Sequence, residues 1–131
     1  LGYTSLALTD KSNMYGALKF YTTCVKAGIK PIIGLEAEVG RNQADTKEKI
    51  SSHHKLLLYA MNIEGYENLL RLTTLMQTKL DGEVSPLSYE EISNHAEGLI
   101  AVSSGIEGEV QQYLTRENLD DQILKTAFTL E

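Results

Sequence analysis

The stretch LALTDKSNMYGALKFYTTCVKAGIK, residues 6–30, decides the fold class. An apolar run, Leu6-Ala7-Leu8, ends on Thr9-Asp10, and the polar turn Lys11-Ser12-Asn13 then opens a pattern with apolar residues at Met14, Ala17, Leu18, Tyr21 and Val25. That recurrence has the i, i+3, i+4, i+7 spacing of one helical face. Gly28 follows the last periodic residue and Pro31 lies three positions further on, the usual stop signals of a helix. The stretch reads as strand, turn and helix. Asp10 therefore falls at the carboxyl end of a strand, where α/β proteins keep their chemistry.

Outward from this unit, KPIIGLEAEV (residues 30–39) reads as a second buried strand that puts Ile32, Gly34, Glu36 and Glu38 on one face by period two. Acidic side chains are unusual in such a strand. Residues 40–53 have no apolar periodicity and many turn formers, so they read as an exposed loop. KLLLYAM (residues 55–61) is the third strand, and a helix follows from about Glu64 with Tyr66, Leu69, Leu70, Thr73, Met76 and Leu80 on one side. Residues 79–86 are turn-rich, and Ser88-Tyr89-Glu90-Glu91 has capping-box spacing for a short helix closed by Gly98. LIAVS (residues 99–103) is the fourth strand. Ile106, Val110, Tyr113 and Leu114 mark another helix, and Asn118 caps a last one carrying Leu119, Ile123, Ala127 and Phe128. The alternation of strands and helices predicts an α/β fold with four parallel strands covered by helices, open or closing into a barrel.

With 131 residues and 42% apolar composition the chain can bury one core, so it is one domain or part of one. It begins without Met on Leu1-Gly2, a pair that reads as a helix end with its C′ glycine, which makes the sequence a fragment on this reading. The single cysteine, Cys24, allows no intrachain disulfide, and a reducing cytoplasm is the simplest context. As a side chain it reads as a small buried apolar group. No apolar run reaches the roughly 18 residues of a membrane span, and no basic-then-apolar leader is present, so no membrane partner is expected. A net charge of −6 works against non-specific nucleic-acid binding, which needs clustered Lys and Arg.

The ionisable groups at strand ends or within strands are Asp10, Lys11, Glu36, Glu38, His53, His54 and Lys55. Carboxylates from adjacent strands can bind a divalent cation or act as acid and base. The plainer roles are a helix N-terminal cap for Asp10 and a nearby Lys for Glu36. His53 and His54 cannot chelate together, because neighbours on a strand point to opposite faces, and they read as solvent-exposed at a loop edge. His95, at the end of a polar helix, has no evident partner. No Gly-rich phosphate cradle is present, and no Ser stands at elbow spacing from a base.

Three stretches taken in order, LALTDKSNMYGALKFYTTCVKAGIKPIIGLEAEV, KLLLYAMNIEGYENLLRL and EGLIAVSSGIEGEV, resemble the polymerase-and-histidinol-phosphatase (PHP) domain family. The branch they resemble lies near the N-terminus of bacterial replicative DNA polymerase III alpha subunits, and the match runs from Leu1 to about Tyr113. The resemblance implies a distorted seven-stranded TIM-like (β/α) barrel, of which residues 1–131 form part, without its His-x-His strand and its later strands. In members with an intact site it implies a His, Asp, Glu and Cys cluster that holds Zn, Mn or Mg and supports phosphoester hydrolysis. By position, that cluster's ligands fall on Lys11, Glu36, Lys55 and Gly105, with Asp10 beside the first. Only Glu36 keeps a ligand's chemistry, and an ammonium cannot ligate while protonated.

The resemblance therefore implies a structural and interaction domain with a degenerate metal site. Its partners would be other DNA polymerase III subunits, and DNA would be met through the full-length protein. The alternative is a metal-dependent phosphoesterase or 3′–5′ exonuclease holding an ion on Glu36 and Asp10. A stand-alone histidinol phosphatase is disfavoured, because MNIEGYENLLRL resembles the polymerase branch. A slip of one residue would place His54 in the ligand position of Lys55, but Gly65 and Tyr66 hold the register against it. A buried carboxylate without a metal needs another cation, so Lys11 or Lys55 is expected close to Glu36 or Asp10. Strand direction in a parallel sheet favours Lys11, and the family register favours Lys55.

Overall fold

The computed structural model describes residues 2–40, 53–79 and 84–115. In chain order these form β1 (Ser5–Lys11), α1 (Ala17–Lys26), β2 (Lys30–Gly40), β3 (His53–Ala60), α2 (Ile63–Thr78), α3 (Tyr89–Asn94), β4 (Leu99–Ser103), a 3-10 turn (Gly105–Glu107) and α4 (Glu109–Thr115). The helix expected after Asn118, and most of the loop expected over residues 40–53, lie outside the described residues.

The first unit forms as its punctuation predicts. Ser12 takes the left-handed conformation at φ 56 and turns the chain out of β1. Its N–H donates to the Glu36 carbonyl at 2.9 Å, and its own carbonyl accepts from Gln77 Nε2 at 2.9 Å, so β2 and α2 both hold the turn. The helix α1 stops at Gly28, φ 69, after which the Ile29 N–H reaches back to the Cys24 carbonyl at 2.9 Å. That arrangement satisfies the last turn's carbonyls and lets β2 begin at once. Ala17 and Cys24 are the residues α1 buries, whereas Leu18, Tyr21 and Val25 of the expected stripe stay exposed. Cys24 is indeed a small buried group.

The four strands form one sheet in the order β1-β2-β3-β4. Only β1 and β2 run parallel; β3 is antiparallel to β2, and β4 is antiparallel to β3. This corrects the expectation of four parallel strands. A parallel pair needs a crossover, normally a helix, as α1 supplies between β1 and β2. Residues 41–52 carry no helical periodicity, and a connection of that kind joins antiparallel neighbours. Between β3 and β4 the chain passes twice along the sheet. Helix α2 carries it to Leu87, which bridges to Val39, and α3 belongs to the return, which ends where the Met61 N–H donates to the Gly98 carbonyl. Two passes restore the starting end, so β4 runs against β3.

The core lies on the helix side of the sheet, where Leu35, Ala37 and Val39 of β2 and Leu58 of β3 pack with Leu69, Leu72 and Met76 of α2 and with Leu87. The opposite face of the sheet has no helix on it among the described residues, and Ile100 and Val102 there remain exposed. Helix α3 starts with the expected capping box: the Ser88 hydroxyl accepts from the Glu91 N–H, and the Glu91 carboxylate accepts from the Ser88 N–H at 2.8 Å. Partial burial pushes the Glu91 carboxyl up, but the Lys79 ammonium and the Ser88 donors outweigh it and hold it below its ordinary value.

Candidate functional site at the strand ends

The topology brings four strand ends to one edge of the sheet. Strands β1 and β2 finish there at Lys11 and Gly40, antiparallel β3 starts there at His53, and β4 finishes there at Ser103, followed by the turn Gly105–Glu107. Register then decides which side chains meet. Lys11 lies opposite Glu36, and Glu38 lies opposite Lys55, so these four side chains share the face away from the helices.

The contacts within the cluster run diagonally. Lys11 Nζ lies 3.1 Å from Glu38 Oε1, and Lys55 Nζ lies 3.2 Å from Glu36 Oε1. Lys55 also donates to Glu107 Oε2 at 2.6 Å, which links β3 to the turn after β4. The two lysines differ in burial, with 59% of the Lys11 side chain exposed against 20% for Lys55. Hydrogen bonds to Glu107 and Glu36 raise the Lys55 ammonium above its ordinary value, outweighing the desolvation that would lower it. Lys55 thus stays a cation. The expected ammonium near Glu36 is present, and it is Lys55, because an antiparallel β3 begins at the edge where β2 ends.

Asp10 lies elsewhere. It is paired in register with Leu35, and its Oδ2 accepts from the Gly16 N–H at 2.7 Å, capping the start of α1. This is the plainer role foreseen for it. Gly105 takes φ 53 and opens the turn that presents Glu107. A residue with a Cβ would be strained there, although nothing crowds the position. His54 is opposite Val39 and therefore on the helix side, away from Glu36. Its side chain is 8% exposed, with Nδ1 3.1 Å from Gln112 Oε1 and Nε2 3.8 Å from Glu109 Oε1. This corrects the loop-edge reading: β3 starts at His53, two residues before the expected strand, so His54 lies inside the strand under α4. His53 is partly buried in the same strand, where its carbonyl accepts from Gln112 Nε2. His95, expected to lack a partner, places Nδ1 2.8 Å from the Glu91 carbonyl oxygen.

Among the described residues, the candidate ligands Asp10, Glu36 and His54 are not brought together. Asp10 and Glu36 occupy opposite faces, Glu36 is engaged by Lys55, and His54 faces α4. Among the described residues no three His, Cys, Asp or Glu side chains group so as to hold a metal ion. A separate hollow of about 440 Å³ lies on the helix side between α1 and the start of α2. Its lining, including Leu18, Tyr21, Met61 and Ile63, carries no carboxylate, imidazole or ammonium. Reading from sequence missed Glu107, for which the only signal was its place two residues after Gly105.

Comparison with known proteins supports the resemblance read from the sequence. The family model described as PHP domain matches residues 1–130. The chain is 36% identical over 118 residues to the DNA polymerase III subunit alpha of Helicobacter pylori, covering 90% of the chain and 10% of that protein. For the subunit of Bacillus subtilis the identity is 39% over 114 residues, covering 87% and 10%. For that of Thermus aquaticus it is 33% over 120 residues, covering 88% and 10%. The chain thus spans about a tenth of the length of the curated relatives it matches. With a family model matching residues 1–130, the chain belongs to the PHP domain family.

Proposed function

We propose that this chain is part of the PHP domain of a bacterial DNA polymerase III alpha subunit, where it serves DNA replication as a non-catalytic structural and interaction domain. In this reading the four strands are a portion of the distorted TIM-like barrel, and Asp10, Lys11, Glu36, Lys55 and Gly105 mark a degenerate metal site. The cytoplasm is its compartment, other polymerase III subunits are its partners, and the rest of the polypeptide meets DNA. The observation that carries the reading is the Lys55 ammonium 3.2 Å from Glu36, on the one residue that keeps a ligand's chemistry. An ammonium held against a carboxylate occupies one of its oxygens and offsets the negative charge that would draw a divalent ion.

A phosphoesterase using Glu36 and Asp10 together is disfavoured by geometry, because Asp10 spends its carboxylate on the α1 N-terminus from the other face. The test is nucleotide release from a primer end by the full-length protein with Mn²⁺ or Zn²⁺, comparing the wild type with Glu36→Gln. The two are expected to show the same release. A metal-dependent release abolished by Glu36→Gln would overturn the non-catalytic reading.

A further inference from the structure

The resemblance implies metal ions where this chain seats two lysines, and the mismatch has a structural consequence. Glu36, Glu38 and Glu107 gather at one edge of the sheet, and nothing but Lys11 and Lys55 is paired with them among the described residues. Glu36 and Glu107 contact the same ammonium at 3.2 and 2.6 Å, so their carboxylates repel within the screening length of about 8 Å at physiological salt. Two ammonium groups supply the charge of one divalent ion. They differ in role, because Lys11 is mostly exposed and makes one contact, and exposed pairs contribute little. Lys55 is four-fifths covered and bonds to carboxylates from two other elements.

We propose that Lys55 is the resident counter-ion of these strand ends, a covalently attached cation that ties β2, β3 and the turn after β4 together and makes their integrity independent of divalent metal. The proposal deepens the non-catalytic reading and rests on it. An ammonium offers three donors, of which Glu36 and Glu107 take two. Unlike a bound ion, it cannot be removed by a chelator. Gln112 Nε2 also joins the Glu107 carbonyl to the His53 carbonyl, at 3.2 and 3.3 Å, whereas Lys55 is what links the Glu107 carboxylate to β2 and β3.

The experiment is hydrogen–deuterium exchange on the full-length protein, read over residues 53–60 and 99–112, in EDTA and in Mn²⁺. Wild-type exchange is expected to be the same in both. Lys55→Met should exchange severalfold faster over residues 99–112 in EDTA and slow again in Mn²⁺, because the freed carboxylates then accept a divalent ion. Lys55→Arg, which keeps the charge, should match the wild type. Faster wild-type exchange in EDTA, or a Lys55→Met variant indifferent to Mn²⁺, would overturn the proposal. Should Lys55→Met not fold, the wild-type and Lys55→Arg arms still decide it. Metal-dependent hydrolysis with chelator-insensitive exchange would remove the non-catalytic reading and leave the counter-ion in place.

Discussion

Lys55, bonded to two carboxylates, should make the stability of the fold depend on alkaline pH. The Lys55 ammonium is raised above its ordinary value of 10.5 by Glu107 and Glu36. A group whose folded value is raised stabilises the fold fully below the unfolded value and loses that contribution as pH rises through the folded one. The window is therefore alkaline, beginning near pH 10.5. The urea midpoint of the wild type should fall through that range relative to Lys55→Met, which has nothing there to lose. Parallel midpoints for the two proteins would show that the pair contributes nothing to stability. Of the cluster, a lysine close to Glu36 was legible in the sequence, but only the family register pointed to Lys55; strand direction pointed to Lys11, because the antiparallel course of β3 was not foreseen. Glu107 was not legible, since a three-residue turn has no periodicity to aim a side chain.

At the scale of elements, strand and helix identities followed the sequence closely, but the inward face of α1 did not. The segment has apolar residues at Ala17, Leu18, Phe20, Tyr21, Cys24 and Val25, enough for two adjacent stripes, and spacing alone cannot choose between them. The structure chooses the narrower side chains, Ala17 and Cys24, because they let α1 lie close to β2. The junction between α2 and β4 shows the same dependence on close approach. The Asn62 side chain caps α2 by accepting from the Gly65 N–H at 2.9 Å, and buried Asn68 donates to the Glu97 carbonyl at 2.9 Å. A Cβ on Gly65 would stand 1.9 Å from the Gly98 carbonyl oxygen, a backbone atom that cannot swing away. Gly65→Ala should therefore destabilise the domain by about 3 kcal/mol or more, since forced overpacking moves the backbone itself. Denaturant unfolding checks this, and a loss below about 1 kcal/mol, the size of an ordinary surface change, would show that the junction is loose.

At the scale of the molecule, the sheet is covered on one face only. Helices seal Leu35, Ala37, Val39 and Leu58, while the other face presents partly or largely exposed Ile32, Leu57, Tyr59, Ile100 and Val102 beside the charged edge. The consecutive strand order holds, but the strand directions were misjudged from sequence, because alternation of strands with helices predicts parallel pairing only where each helix is a single crossover. Here one connection carries no helical pattern and another contains two helices. The outcome leaves β1 and β4 as the outer strands, each with one side unpaired among the described residues. Unpaired backbone at such edges recruits further strands, and an apolar sheet face adds hydrophobic drive to the same association. Produced on its own, the 131-residue chain should therefore self-associate. Light scattering coupled to gel filtration measures this directly, with a mass rising with concentration as the expected result. The net charge of −6 opposes association at low salt, so the mass should also rise with ionic strength. A monomer at every concentration and salt would mean that both edges and the open face are already satisfied within the chain, and the reading of these four strands as part of a larger barrel would lose its physical basis.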